Sequence, residues 1–420
     1  HGLYRGVVME MPDVESKAKA LYNGVALAPM VRASTTPLRT LALKYGADIV
    51  YTEELMDRSL LNTIREVQPN GFVDFRRDTT NLSNKTKRKV ESCGGGPAIM
   101  LRIDPKIEKG RLIAQIGTGE ANLALQAALH VHKDVDGIDI NMGCPKKFSV
   151  GGGMGSALLS DPERASSIIR SLRSGLPNTP ISCKIRLIKD TQTTLDFCTA
   201  MISAGALAIA IHARRVGDEC KTPADWKTLR EVVPILKQKY PSVSIMLNGD
   251  FYTRQDFTEM ISETGANGVL LSRPALYNTS IFKKPVQEQT GPYGYDSPLL
   301  LDKTIVIQDY LREAIYYDTH YKNAKYVICE MMNNRRHPPI RCPYLPQIFP
   351  HGQTVAQTCD CKSLTELCKL WKVDSTSFAR TSKQIPVGEH RYHDSYFLTE
   401  EAKNEDVTVE VSDPKRVKLQ

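Results

Sequence analysis

The chain of 420 residues is 41% hydrophobic and carries a formal net charge of +8, which supports one large domain with a smaller companion and excludes disorder over most of its length. No stretch reaches the roughly 20 uninterrupted apolar residues of a membrane span, and the N-terminal region, with Glu10, Asp13 and Glu15, lacks the apolar run of a signal peptide. The charge permits a polyanionic partner without demanding one, and ten cysteines without paired spacing fit reduced thiols, so a cytoplasmic setting is expected.

In chain order, residues 1–20 read as a flexible lead-in. From residue 21 to about 290, short Val/Ile/Leu-rich runs alternate with helical patterns, the signature of strand–helix repeats around a parallel sheet. Eight strands are predicted: Gly24–Val31, Asp48–Leu55, Arg111–Thr118, Gly137–Gly143, Ile181–Ile188, Ala206–Arg214, Ser244–Phe251 and Gly268–Arg273. Pro37 opens and Gly46 closes the first helix, Ser160-Asp161-Pro162-Glu163 opens the fourth, and Thr253 and Gly265 bracket the seventh. Eight such units imply an α/β fold, a (β/α)8 TIM barrel. A polar insertion over about 60–110, with the Lys85–Lys89 run and Gly94-Gly95-Gly96, must loop out of it and is expected to hold one extra strand, Ala98–Ile103. Residues 291–380 read as a small all-helical domain, with helices over Thr304–Tyr317, Lys322–Met332 and Ser363–Trp371. Its first helices interleave Tyr310, Tyr316, Tyr317, Tyr321 and Tyr326 with basic residues, a composition that suits an RNA surface. Residues 381–420 read as a disordered tail ending in Pro414-Lys415-Arg416-Val417-Lys418-Leu419, a candidate nuclear-import signal.

In such barrels the catalytic groups gather on the loops after the strands. The polar strand-end residues are Pro29-Met30-Val31-Arg32, Glu53-Glu54, Gln115, Asn141 with Cys144, Lys184 with Arg186, His212, Asn248-Gly249-Asp250 and Ser272-Arg273. Cys144 stands in Asn141-Met142-Gly143-Cys144-Pro145, ahead of Gly151-Gly152-Gly153-Met154-Gly155. Pro145 ends the strand, and the glycines let backbone approach a flat or phosphorylated ligand. A reactive thiol is one reading of this motif and a buried structural cysteine the other. Lys184 lies inside an apolar strand, where a charge is costly unless partnered; it either faces a ligand or pairs with Glu54 or Asp139. His212 taken alone reads as a core histidine. Cys359, Cys361, Cys368 and His351 match no zinc spacing, and no metal is expected.

These segments in this order resemble the tRNA-dihydrouridine synthases. Leu27-Ala28-Pro29-Met30-Val31, Glu53-Glu54, Gln115-Ile116-Gly117, Asn141–Pro145 with Gly153-Met154-Gly155, Lys184-Ile185-Arg186, His212-Ala213-Arg214, Asn248-Gly249-Asp250 and Ser272-Arg273 carry the likeness across the whole barrel. The cysteine motif, with Met142 and Lys146-Lys147, is most similar to the eukaryotic subfamily acting on uridine 20 of the D-loop. The resemblance implies an FMN enzyme that reduces one uracil of tRNA with NADPH. It implies that Pro29, Met30, Val31, Gln115, Lys184, His212, Asn248, Gly249, Asp250, Ser272 and Arg273 hold the flavin, with Glu54 or the adjacent Glu53 beside them, and that Cys144 is the general acid. Asn141, Lys146, Lys147, Arg186, Arg214, Arg215, Arg335, Arg336 and Arg341 are expected on the tRNA side, and a monomer is expected. Ala213 stands where a glycine often follows the histidine, and no αβββα pattern of a double-stranded-RNA-binding domain is seen in 340–420. The rival readings are a flavin barrel acting on free pyrimidines and a non-catalytic tRNA-binding protein.

Overall fold

Short β-branched runs bounded by glycine, proline and polar turns can bury both faces only if helices cover one side and a closed interior fills the other. In the computed structural model they do so. The structure describes residues 13–78, 80, 99–219, 221–284, 300–333 and 352–374. Its strands are β1 (Gly24–Leu27), β2 (Ile49–Met56), β3 (Thr63–Val67), β4 (Val73–Arg77), β5 (Ile99–Ile103), β6 (Leu112–Gly117), β7 (Gly137–Asn141), β8 (Ile181–Arg186), β9 (Ala208–His212), β10 (Ser244–Asn248) and β11 (Gly268–Leu271). Eight of these close a parallel barrel in the order β1, β11, β10, β9, β8, β7, β6, β2, the expected TIM barrel. Several predicted strands run two to four residues too long at their C-terminal ends, as at Val31 and Arg214, because those positions already belong to the loops of the mouth.

The helix signals act as read. Gly46 ends helix Thr36–Tyr45 at φ 111°, where only glycine is unstrained, and Thr253 with Asp256 forms a capping box at the start of Arg254–Thr264. Small interior residues, Ala26, Ala28, Ala208 and Ala210, pack with Tyr22, Tyr51, Ile113 and Met246. Tyr22 belongs to the segment just after helix Val14–Leu21, whose Ala18 and Leu21 join this interior cluster. The expected flexible lead-in is thus, from residue 13, a helix that seals the N-terminal end of the barrel.

β2 carries an irregularity that matters for the site. Tyr51 pairs with Ile113 and Glu54 with Gln115, so three steps along β2 match two along β6. Side chains alternate along a strand, and with Tyr51 inside the barrel Glu53 would follow it; the extra residue turns Glu54 inward instead.

The insertion holds three strands rather than one, the antiparallel sheet β3-β4-β5. β3 escapes sequence reading because its residues after Thr63 are all exposed, Ile64 and Val67 included, leaving no apolar face to recognise. The Lys85–Lys89 run and the Gly94–Gly96 triplet lie outside the described residues.

The helices beyond residue 300 share one hydrophobic core with the barrel, through Tyr310, Leu311, Val327, Leu367 and Trp371. Polar contacts reinforce the docking. Arg102 pairs with Asp74 at 2.7 and 2.8 Å and donates to the Tyr317 carbonyl at 2.8 Å, and the Tyr317 hydroxyl donates to Asp104 at 2.8 Å. Tyr310 and Tyr317 are therefore packing residues rather than an RNA surface, while Tyr316 stays exposed. Observed helices are Lys303–Tyr316, Tyr321–Met332 and Leu364–Leu370, with an additional short one at Val355–Asp360. No described helix is long and apolar enough to cross a membrane.

Candidate active site

The C-terminal ends of β6, β7 and β8 bring Gln115, Asn141 and Lys184 side by side, Gln115 beside Asp139 and Asn141 beside Lys184 in the strand register. Lys184 is half-buried, and among the described residues it forms no hydrogen bond or ion pair, with Glu54 and Asp139 included. Burial and the nearby Arg186 guanidinium push its ammonium down to about 8. A lysine left in this state is suited to an electron-rich ligand.

Polar groups below it form a chain. Asp139, wholly buried, accepts from Ser182 Oγ at 2.6 Å and from Gln115 Nε2 at 2.8 Å. Gln115 Oε1 accepts from Asn141 Nδ2 at 3.1 Å, and Asn141 Oδ1 accepts the backbone N–H groups of Gly143 and Cys144, both at 3.0 Å. Arg186 Nε closes the loop from the other side by donating to the Gly143 carbonyl at 2.8 Å. Gly155, at φ 57°, lies against the Cys144 carbonyl and Cβ, so a side chain there would displace the thiol loop.

The thiol faces Glu54, and each group acts on the other's titration. Burial raises Cys144 to about 11, with the Glu54 charge adding to the effect, and burial raises Glu54 to about 7. Cys144 is thus a protonated thiol at neutral pH. Glu53 points elsewhere: its carboxylate accepts the N–H of Arg32, a residue in the left-handed region at φ 64°. The bulge in β2 gives Glu54 the site and Glu53 the β1 loop.

A second constellation lies after the last strands. A cavity of about 160 Å³ is lined by Arg186, His212, Arg214, Asn248, Gly249, Asp250, Ser272 and Arg273 among others. Asp250 Oδ2 accepts from Arg214 at 2.5 Å, and its other oxygen takes Arg273. His212 is held neutral, its pKa depressed by burial and then by the cations Lys184, Arg186, Arg214 and Arg273. Three guanidiniums, Arg186, Arg214 and Arg273, against two carboxylates, Asp218 and Asp250, leave one net positive charge, which favours an anion such as a phosphate. Gly249, at φ 133°, has the Cβ atoms of Ala224 and Ala213 within 3.1 and 3.2 Å of where its own would stand, so its backbone can approach a ligand as a substituted residue could not.

The family model for dihydrouridine synthase (Dus) matches residues 26–337. The chain belongs to the dihydrouridine synthase family. It is 36% identical to the NAD(P)+ tRNA-dihydrouridine(20) synthase of Schizosaccharomyces pombe over 74% of this chain and 60% of that one. It is 31% identical to the tRNA-dihydrouridine(20) synthase of Saccharomyces cerevisiae over 73% and 77% of the two chains. Identity to the tRNA-dihydrouridine(20a/20b) synthase of S. pombe is 29%, over 61% and 67%. The chain thus spans less than two thirds of the length of the first of these relatives.

The barrel of this family member places the expected residues unequally. Met30, Gln115, Lys184 and His212 stand at strand ends around the mouth, with Pro29 half-buried and Val31 exposed beside them. Asp250 differs from expectation, because its carboxylate is occupied with two arginines and offers a ligand only its strained backbone, at φ 57°. Arg214 differs more: only 3% exposed, it also donates from Nε to the Thr222 carbonyl at 2.6 Å and lines the anion cavity rather than the tRNA-facing rim. Lys146 and Lys147 are exposed, and Arg215 is partly so while paired with Asp225 at 3.0 Å. Beside the Cys144 loop a cavity of about 940 Å³ is lined by Lys147, Val150, Lys189, Arg215 and Val216. Arg335, Arg336 and Arg341 lie outside the described residues. Sequence reasoning treats Asp139 only as a partner for Lys184. The signal was nonetheless there, a charged residue inside the β-branched run Gly137–Ile140, the same ground on which Lys184 was singled out.

Proposed function

We propose that this chain reduces the C5–C6 double bond of a uracil in the tRNA D-loop, that of uridine 20, using FMN with NADPH as electron donor. The observation that carries the reading is the convergence at one barrel mouth of a protonated thiol, an ammonium unpaired among the described residues and an arginine-lined cavity of net positive charge. The higher identity to relatives named for position 20 than to one named for 20a/20b supports the choice of uridine.

The residues fit FMN. Arg273, Ser272, His212 and the backbone at Asn248–Asp250 would hold its phosphate, with Arg214 fixed behind them by Asp250. Lys184, Gln115 and Met30 would hold the ring system, Lys184 placing positive charge where negative charge develops on reduction. When bound, FMN would supply hydride for C6 of the uracil, with NADPH as the source of the electron pair.

Cys144 then gives its proton to C5: the S–H bond breaks, the C5–H bond forms, and the enolate is quenched. A thiol that stays protonated well above neutral pH suits an acid rather than a nucleophile, which needs the thiolate. The thiolate left behind faces Glu54, whose carboxyl, raised to about 7, is the stronger acid and can return a proton downhill. The target base must leave the folded tRNA to reach this mouth, at a cost of a few kcal/mol. Lys147, Lys189 and Arg215 lining the larger cavity, with the exposed Lys146 next in sequence, offer phosphate contacts that offset it, with Arg335, Arg336 and Arg341 assigned to the same partner.

The test is incubation of the purified, FMN-loaded protein with unmodified tRNA and NADPH, followed by position-resolved mapping of dihydrouridine. Product at position 20 is expected. Turnover of free uracil or uridine without product in tRNA would make it a pyrimidine reductase, and tRNA binding without flavin absorbance would make it a binding protein.

A further inference from the structure

The hydrogen-bond chain beneath the thiol has a single polarity, and one residue sets it. A carboxylate can only accept, so the group that Gln115 turns toward Asp139 must be its NH2. That choice leaves Oε1 pointing to Asn141, which must answer with its own NH2. Asn141 is then obliged to present Oδ1 to the loop, where two backbone N–H groups, at Gly143 and Cys144, converge on it. Reversing either amide would set donor against donor or acceptor against acceptor inside the barrel. Burial holds Asp139 at about 6, which leaves it mostly ionised at neutral pH, and Ser182 Oγ satisfies its other oxygen at 2.6 Å.

We infer that Asp139 is a positioning residue: from within the barrel it fixes the amide orientations of Gln115 and Asn141, and through them the place of the Cys144 loop. It touches neither the thiol nor the mouth. Gln115 and Asn141 lie on neighbouring strands and the loop follows directly, so the chain needs no moving part. The same orientation decides which face of Gln115 is available to a bound ring system, since one Nε2 hydrogen and Oε1 are already committed. The catalytic meaning of this rests on the dihydrouridine synthase reading; the positioning itself does not.

The experiment exchanges carboxylate and amide across the 2.8 Å contact. Gln115→Glu sets two carboxylates against each other. Adding Asp139→Asn restores a donor–acceptor pair with the charge moved one residue, and leaves Asn141 facing the same kind of oxygen. The primary readout is hydrogen exchange at the Gly143 and Cys144 amides in the FMN-loaded protein without tRNA, with dihydrouridine formation as the second. Gln115→Glu is expected to speed exchange about tenfold or more, as an unsatisfied buried pair loosens the chain, and the double variant to return to within about threefold of wild type. If Gln115→Glu gives no soluble protein, recovery of soluble protein by the second substitution is the same result. Exchange unchanged in the single variant, or a double variant exchanging as fast as the single, overturns the inference, because a merely structural Asp139 makes the two losses add. A wild type that forms no dihydrouridine sinks the functional reading alone, since exchange is read without substrate.

Discussion

Replacing Glu54 by glutamine probes the thiol where its electrostatics are most exposed to measurement. Burial is the larger cause of the rise of Cys144 from 9.0 to about 11, and the Glu54 charge is the next. Glutamine keeps the shape and removes the negative charge, so the thiolate becomes easier to form and the pKa falls, though not to its ordinary value, because the burial remains. One pKa unit is about 1.4 kcal/mol and a factor of ten in thiolate well below the pKa, so at pH of about 8 a thiol at 9.0 is about 10% ionised and one at 11 about 0.1%. The assay is the rate of iodoacetamide labelling of the Cys144 peptide as pH is raised, since only the thiolate reacts. Wild type is expected to label about a hundredfold more slowly than an unperturbed thiol at pH of about 8, with Glu54→Gln between the two. A wild-type midpoint near 9.0, or a variant that titrates at or above wild type, would refute the account of the site given above.

Cys144→Ala is expected to retain FMN and to oxidise NADPH while losing dihydrouridine formation by about a hundred- to ten-thousandfold, and near-normal product would remove the general acid from the mechanism. Gly249→Ala forces a side chain into a backbone at φ 133° against Ala213 and Ala224, at a cost of about 1–3 kcal/mol, and the purified protein is expected to carry less FMN, checked by flavin absorbance. Lys303, buried with Nζ donating to the Met331 carbonyl at 2.5 Å, is depressed by burial to about 6 from 10.5. Between those values the unfolded chain binds the proton and the folded one does not, so wild type should gain on Lys303→Met by up to about 1.4 kcal/mol per pH unit from pH of about 7 to 9 in denaturant melts; a flat difference contradicts the burial. Reversing Lys146, Lys147 and Lys189 together should weaken tRNA binding and reduce its salt slope by up to about three while leaving FMN content unchanged, and an unaltered slope would remove the rim from the RNA contact.

The barrel was legible because each strand is a short apolar run between capped helices, a pattern that survives without knowledge of contacts. The thiol loop was legible because Pro145 ends a strand where glycines begin. The insertion was not, since Ile64 and Val67 face solvent and the alternation in Val73–Arg77 is masked by charges. The tyrosines of the C-terminal helices mislead for a related reason: composition cannot tell an aromatic whose hydroxyl is committed to Asp104 and whose ring packs on Phe72, as in Tyr317, from one that waits for a base.

Sequence by itself therefore determined the element order, the fold class and the cluster of chemistry-bearing residues at the C-terminal ends of the strands, because periodicity and chain punctuation are local. It could not choose between Glu53 and Glu54, nor foresee that Arg214 faces inward with Asp250 or that Asp139 governs the amides above it. Those depend on register and on which groups meet across strands far apart in the chain. One extra residue in β2, opposite Ile113 and Gln115, turns one glutamate toward the thiol and its neighbour toward the β1 loop. A slip of one position reverses the face of every side chain beyond it, and only the pairing of two strands reveals where the slip occurs.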